Sequence, residues 1–149
     1  MESNWIYIGI FLDEKSKRLL RKLYPIPEGW SEYYDHMTIV YNDQSDVAKA
    51  VKSINEKNLS KKFRLKIEGP GISDKAFAVR VDLPEGVVCA NKIAHITLGT
   101  SSIGSAVDSN YITNWSKTYK DMYVTGKMEV YKPNTNILGT PVIDEANIY

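Results

Sequence analysis

The first third of the chain alternates between short apolar runs and a segment of helical periodicity. Residues 5–12 (WIYIGIFL) are rich in β-branched and aromatic side chains and are too short for an apolar helix, so they predict a buried strand. Asp13 is suited to cap a helix that ends at Leu23 and turns its leucines, Leu23 among them, inward. A loop rich in proline and glycine follows, and residues 36–41 then predict a second strand.

Two further stretches carry a helical pattern. Ser45 or Asp46 can cap a helix, and the positions expected on its buried face are Val47, Ala50, Val51 and Ile54. The second stretch has a weaker signal, in which apolar residues recur every fourth position at Ile103, Val107, Tyr111 and Trp115.

The remainder of the sequence predicts strands. Residues 63–67 and 75–83 form an expected hairpin across the turn-rich GPGISD, and residues 94–99 and 123–131 form two more strands. A short strand is expected near the C-terminus, around Ile137, Leu138, Val142 and Ile143, although Pro141 weakens that prediction. The pattern therefore predicts an α+β fold with antiparallel-rich sheets and helices packed outside.

Length and charge limit the classes of protein to consider. The 149 residues, 43% of them hydrophobic and 25% charged, suit a single domain spanning residues 1–149. A net charge of +1 gives no reason to expect strong attraction to long nucleic acid, but it is compatible with a local pocket for a small anion.

Cysteine usage and the N-terminus indicate the compartment. Cys89 is the single cysteine, so no internal disulfide forms, and no Cys/His cluster has the spacing of a zinc site. The N-terminal apolar run lacks a basic leader and is too short to span a membrane. We expect a cytoplasmic protein, in the host cytoplasm if the chain is viral, with no cofactor, no metal, no membrane and no obligate protein partner.

The two histidines of the chain occur in matching local sequences, DHMTIVY around His36 and AHITLGT around His95. Threonine makes up eight of the 149 residues, so chance places one two positions after both histidines in roughly 0.3 per cent of cases. On a strand, residues two apart share a face, so His36 projects with Thr38 and His95 with Thr97. We expect these four on an open face, with Met37, Ile39 and Tyr41 packed against helices.

Two imidazoles beside one phosphodiester provide the chemistry of its cleavage. A neutral ring takes a proton from the nucleophile, a protonated ring gives one to the leaving oxygen, and each transfer contributes about 10²–10⁴-fold without a metal. Threonine hydroxyls can donate to the non-bridging oxygens. The sequence thus predicts a metal-independent phosphodiesterase with His36, Thr38, His95 and Thr97 as catalytic residues, and it leaves open which histidine is the acid.

The paired His-x-Thr motifs resemble those of the two-histidine (2H), or LigT-like, phosphoesterase superfamily. The order of elements is also similar: strand, helix, first motif, helix, a hairpin such as FRLKI and AFAVRV, and the second motif. The resemblance implies a two-lobed α+β fold with a central cleft, metal-independent cleavage of RNA-related phosphodiesters, His36 and His95 as the catalytic pair, and Thr38 and Thr97 as phosphate binders.

Within that superfamily the compact chain looks most similar to phage anti-CBASS enzymes, which degrade cyclic di- and trinucleotide immune signals. HITLGT also resembles the cyclic phosphodiesterase domain of fungal tRNA ligases, and bacterial RNA-processing relatives share the motifs. Degradation of cyclic oligonucleotides in evasion of host defence is therefore the first hypothesis. The alternatives are an RNA 2′,3′-cyclic phosphodiesterase or 2′,5′ RNA-processing enzyme, and a non-catalytic protein that sequesters a nucleotide.

Four residues are candidates for binding the rest of a substrate. Tyr7, Trp30 and Tyr149 could stack on bases, an interaction worth about 1–3 kcal/mol, and Arg80 could contact phosphate. Aromatic residues also fill cores, and a charge on a strand is often merely solvated, so each assignment competes with an ordinary structural role.

Overall fold

A computed structural model describes residues 5–118, 120–132, 134, 135, 141, 142 and 149 of the chain. The strands are β1 (Tyr7–Leu12), β2 (Ser31–Glu32), β3 (His36–Tyr41), β4 (Lys62–Ile72), β5 (Ala76–Asp82), β6 (His95–Thr100), β7 (Tyr123–Tyr131), β8 (Asn134–Thr135) and β9 (Pro141–Val142). The helices are α1 (Glu14–Leu23), α2 (Asp46–Asn55) and two 3₁₀ helices, Glu56–Asn58 and Ala106–Tyr111.

Six antiparallel strands close into a barrel in the order β6-β3-β1-β7-β4-β5, because β5 pairs with β6 as well as with β4. The short β2 pairs with the far end of β6, on the same side of it as β3. Because the barrel is closed by this pairing, neither β5 nor β6 is an edge strand. The predicted α+β class and antiparallel strands are confirmed, whereas the division into two lobes stays a prediction.

One face of the barrel strands forms the main hydrophobic core. Ile10 of β1, Met37 of β3 and Ile96 of β6 are fully buried in it, and the two helices cover it with Leu20 of α1 and Val51 of α2. Because side chains alternate along a strand, the residues that flank Met37 and Ile96 point to the opposite face. Both His-x-Thr motifs are therefore on the face that does not pack against α1 and α2.

A β-bulge near the end of β3 interrupts the alternation of its side chains between the two faces of the sheet. Gly9 pairs with Thr38 but Ile8 pairs with Val40, so β3 carries one extra residue at Ile39. Ile39 and Val40 consequently both enter the main core, and Tyr41 packs with the separate cluster around Tyr7. The prediction that Tyr41 packs against the helices is wrong, because a bulge turns the next residue to the other face.

Helix α1 begins where the capping residue predicts. The Asp13 carboxylate accepts a hydrogen bond from the backbone N–H of Ser16 at 2.8 Å, which satisfies an otherwise unpaired group of the first turn. Ser16 and Leu20 are buried, and the Ser16 hydroxyl accepts a hydrogen bond from the backbone N–H of Thr125 in β7. Leu23 was expected inside but is 49% exposed, because this contact fixes the rotation of the helix.

Helix α2 is capped by Ser45, as predicted, through a 3.1 Å hydrogen bond from the N–H of Ala48. Its buried residues are Ala48, Val51 and Asn55. Three of the four positions expected inside, Val47, Ala50 and Ile54, are exposed. The Asn55 amide donates to the carbonyls of Val51 and Val88, and this polar anchor turns the helix away from its apolar periodicity.

Strand β4 continues through the GPG segment, which was predicted to be a turn. Gly69 has a φ of +152°, and a Cβ on Gly71 would lie 2.4 Å from the Trp115 ring. The glycines therefore allow the chain around Trp115 to cross β4 closely while the strand continues to Ile72. The turn of the hairpin falls at residues 73–75 instead.

Strands β6 and β7 agree with prediction, but the helical signal between residues 103 and 115 does not. Only Ala106–Tyr111 of that stretch is helical, as a 3₁₀ helix, and Ile103 and Tyr111 are 67% and 74% exposed. The buried residues there are Ala106, Ser109 and Ile112. In the predicted C-terminal strand, Val142 belongs to β9, whereas Ile137, Leu138 and Ile143 lie outside the described residues.

Candidate active site

The two motif strands are neighbours in the barrel. Met37 of β3 lies opposite Ile96 of β6, and both point into the core. His36 and Thr38 flank the first of these residues, and His95 and Thr97 flank the second. All four polar side chains are thus on the same face of adjacent strands, although the motifs are far apart in sequence.

This face is closed rather than open. His36, Thr38, His95 and Thr97 are 4%, 2%, 2% and 2% exposed, so the expectation of four solvent-facing side chains is wrong. Residue His36 also lines a cavity of about 330 Å³ whose other walls include Tyr7 and Tyr131. The cavity therefore lies on the His36 side of the site.

His36 is held by polar contacts at both ring nitrogens. Its Nδ1 lies 3.2 Å from a carboxylate oxygen of Asp35, and its Nε2 lies 3.1 Å from the hydroxyl of Thr38. The Tyr7 ring stacks on the imidazole with centroids 5.0 Å apart. A carboxylate at Nδ1 fixes the orientation of the ring.

Asp35 was not identified from the sequence. Its second carboxylate oxygen pairs with Lys17 of α1 at 3.3 Å, and the hydrogen bond with His36 holds the pKa of Asp35 below its ordinary value. Neighbouring residues on a regular strand point to opposite faces, so strand periodicity argued against a contact between Asp35 and His36. Tyr34, with a φ of +54°, interrupts that regularity just before the motif.

His95 has a different anchor. Its Nδ1 lies 2.9 Å from the backbone carbonyl oxygen of Ile93, which can only accept, so Nδ1 carries the proton. Burial lowers the pKa of His95, the bond to Ile93 opposes this, and the nearby charge of His36 lowers the pKa further. His95 is therefore a neutral ring at neutral pH, with a lone pair on Nε2.

Thr97 is positioned by a residue that the sequence did not reveal. Its hydroxyl is 2.9 Å from the hydroxyl of Ser109, which is 1% exposed on the 3₁₀ helix that packs on β5 and β6. No sequence signal indicates this contact, because serine on a weakly amphipathic stretch is usually a surface residue.

The structure separates the four predicted substrate-binding residues. Tyr7 lines the cavity beside His36, where burial raises its pKa, and its ring also stacks on Tyr131 at 4.9 Å. Tyr149 packs against the same aromatic cluster, 6.2 Å from the ring of Tyr41. Arg80 of β5 lies directly opposite His95.

Trp30 lies in the loop before β2 and is not among the residues that line the cavity at His36. In the described part of the chain, no three His, Cys, Asp or Glu side chains are grouped so that they could hold a metal ion. The described helices are all too short or too polar to cross a membrane.

Comparison with known proteins adds a family to this geometry. The sequence profile of the fungal tRNA ligase phosphodiesterase domain matches residues 19–141, which include both motifs. No curated protein sequence matches the chain.

The fold is similar to that in a crystal structure of a fungal RNA kinase, with a TM-score of 0.57 and 17% sequence identity. This match covers 89% of the present chain and 45% of that chain, so the present chain spans less than half the length of the kinase chain. At this identity the likeness shows a common fold alone, whereas the profile match extends over most of the sequence. The chain belongs to the family of fungal tRNA ligase phosphodiesterase domains.

Proposed function

We propose that this chain is a metal-independent phosphodiesterase that opens 2′,3′-cyclic phosphates at RNA ends, with its site in one domain spanning residues 1–149. The observation that carries the proposal is that two imidazoles lie on one face of adjacent strands, one anchored by a carboxylate and the other by a backbone carbonyl. The family match favours an RNA-related cyclic phosphate as the substrate.

The two anchors favour one assignment of the proton-transfer roles that the sequence left open. His95 carries its proton on Nδ1 and is kept neutral by burial, so its Nε2 is suited to accept a proton as the general base. His36, whose Nδ1 is hydrogen-bonded to the Asp35 carboxylate, is then left with the role of general acid.

The proposed reaction is hydrolysis of the cyclic phosphate. His95 takes a proton from water as the water oxygen bonds to phosphorus, one of the two ring P–O bonds breaks, and His36 gives its proton to the departing ribose oxygen. Thr38 and Thr97 donate hydrogen bonds to the non-bridging oxygens, where negative charge accumulates. One water is consumed, and the product is a phosphomonoester beside a free hydroxyl.

Small residues lie opposite both threonines in the barrel. Gly9 of β1 pairs with Thr38, and Ala78 of β5 pairs with Thr97, so the smallest side chains stand beside the two hydroxyls. Because the motif side chains are nearly buried, the residues around them must move before substrate can enter.

A substrate panel tests the proposal. An RNA oligonucleotide ending in a 2′,3′-cyclic phosphate is incubated with the protein in EDTA, and mass spectrometry follows the gain of one water. We expect conversion by the wild-type protein, none by His36→Ala or His95→Ala, and unchanged conversion by Lys75→Met, an exposed residue on the β4–β5 turn. Loss of turnover on adding EDTA contradicts the mechanism.

The same panel includes cyclic di- and trinucleotides, because the family match gives no support to the hypothesis of defence evasion. Their cleavage in preference to the RNA end would favour that hypothesis over the present one. A non-catalytic protein would instead return every nucleotide intact and would still bind it after either histidine is replaced.

A further inference from the structure

A second cavity lies beside His95, and neither motif contributes to it. Its volume is about 560 Å³, and its walls include Arg80 of β5, the segment 91–94 that leads into β6, and Lys117. Ile93, whose carbonyl accepts the hydrogen bond from His95, is one of the residues in these walls. The cavity therefore adjoins the proposed general base.

Two buried donors in these walls lack acceptors. The Nε of Arg80 and the Nδ2 of Asn91 are shielded from solvent, and no described residue accepts a hydrogen bond from either. Buried polar groups are almost always paired in folded proteins, so two such donors in the walls of one cavity are unusual. Once the two side chains turn toward the cavity, a ligand with acceptor oxygens would supply the missing partners.

The charges of the cavity favour an anion. Arg80, Lys92 and Lys117 contribute three positive charges, against two negative charges from Glu68 and Asp82. The guanidinium of Arg80 lies over the Trp115 ring, with Cζ 5.7 Å from its centroid, and this contact restrains the side chain. A restrained planar guanidinium is suited to bidentate recognition of phosphate.

The position of Arg80 relates the cavity to the reaction. Arg80 and His95 are directly paired on antiparallel strands, so their Cβ atoms are separated by about 4.5–5.5 Å. An anion held by Arg80 would thus lie next to the phosphate at His95. Consecutive phosphates of an oligonucleotide are neighbours in the same way.

We propose that Arg80 and Asn91, with Lys92 and Lys117, bind a second phosphate of the substrate, adjacent to the one that reacts. The inference rests on the proposed function and deepens it. The substrate is an oligonucleotide end that carries an internal phosphodiester next to the cyclic phosphate. A mononucleotide cyclic phosphate lacks that internal phosphodiester, which is one of the two phosphates that the protein binds.

The test compares two substrates that differ by this phosphate, adenosine 2′,3′-cyclic phosphate and ApA ending in a 2′,3′-cyclic phosphate. Wild-type protein should have the higher kcat/KM on the dinucleotide. Arg80→Met should lower the dinucleotide-to-mononucleotide ratio by about 10- to 100-fold, chiefly through KM, because a charge-assisted contact is lost. Asn91→Leu should lower it less, and Lys75→Met should leave it unchanged.

Thermal unfolding of each variant separates loss of folding from loss of binding. Arg80→Lys keeps the charge and should give an intermediate ratio, which provides a second measurement if Arg80→Met is unstable. A ratio that is the same in folded Arg80→Met and wild type overturns the second-phosphate site while the proposed function stands.

If neither substrate turns over, the proposed function fails and the cavity is tested by binding alone. Calorimetry with the linear dinucleotide ApAp and with adenosine 3′-phosphate then compares wild type with Arg80→Met. Tighter binding of ApAp that is lost in the variant supports the site. Equal affinities of wild type for the two nucleotides refute it.

Discussion

Replacing Asp35 with asparagine isolates the electrostatic effect of the carboxylate on His36. The substitution keeps the size of the side chain and removes the negative charge 3.2 Å from Nδ1. If His36 is the general acid, its protonated form becomes harder to maintain in the variant. The basic limb of the pH profile of kcat/KM, which reports loss of the acid's proton, should move to lower pH.

The size of the shift follows from the exposure of the pair. Two unit charges 4 Å apart interact by about 1 kcal/mol in water and about 4 kcal/mol near a protein surface. The imidazole is buried, but the Asp35 side chain is 50% exposed and shares its charge with Lys17, so we take about 1–2 kcal/mol. That corresponds to a downward shift of roughly one pH unit in the basic limb.

The assay measures kcat/KM on an RNA end with a 2′,3′-cyclic phosphate between pH 5 and 9, for wild type, Asp35→Asn and the control Asp43→Asn. Asp43 is an exposed aspartate that interacts with Ser45, away from both histidines. A shift of the acidic limb instead of the basic limb would reverse the roles assigned to the two rings. No shift in either limb would show that Asp35 does not act through His36.

Three further predictions follow from particular contacts. The free energy of unfolding of wild type should fall as the pH drops below about 6.5, with a slope of at most about 1.4 kcal/mol per pH unit. The reason is that His95 binds a proton more readily in the unfolded chain than in the folded protein, where burial lowers its pKa. Urea denaturation measures this dependence, and His95→Gln should lack the part of it that is due to His95. Gly71→Ala places a Cβ 2.4 Å from the Trp115 ring and should cost about 1–3 kcal/mol of stability, and combining it with Trp115→Leu should recover part of the loss in the same denaturation assay. Ser109→Ala should lower kcat by less than Thr97→Val, since the serine acts only by orienting the threonine hydroxyl, and equal effects would place Ser109 in contact with the substrate.

The elements that strand periodicity predicts are those whose side chains alternate between a core and a polar face. Strand β7 was predicted with its observed bounds, and β3 and its motif were also placed correctly. The inward faces of the helices were predicted less well, because a single polar contact, such as that of Ser16 or Asn55, can outweigh several apolar side chains of a short helix. Such contacts involve partners distant in sequence and leave no local pattern.

In the candidate site, too, the local sequence pattern predicted some features and missed those that depend on the folded backbone. The repetition of His-x-Thr was visible in the sequence, but the neighbours that determine the chemistry of each histidine were not. Ile93 contributes only its carbonyl, and Asp35 reaches His36 across an irregular turn of the chain at Tyr34. The sequence therefore predicted which side chains meet, while their protonation depended on backbone geometry.

The polar face of β3 and β6 is difficult to explain by stability alone. Four hydrogen-bonding side chains are almost fully buried there, although an apolar set of the same shape would avoid the desolvation of two imidazoles and two hydroxyls. The cost is limited because His36 and Thr97 contact polar groups, namely the Asp35 carboxylate and the Ser109 hydroxyl. A fold selected only to be stable has no need of four buried polar side chains on one face, whereas a phosphate bound at that face would require them.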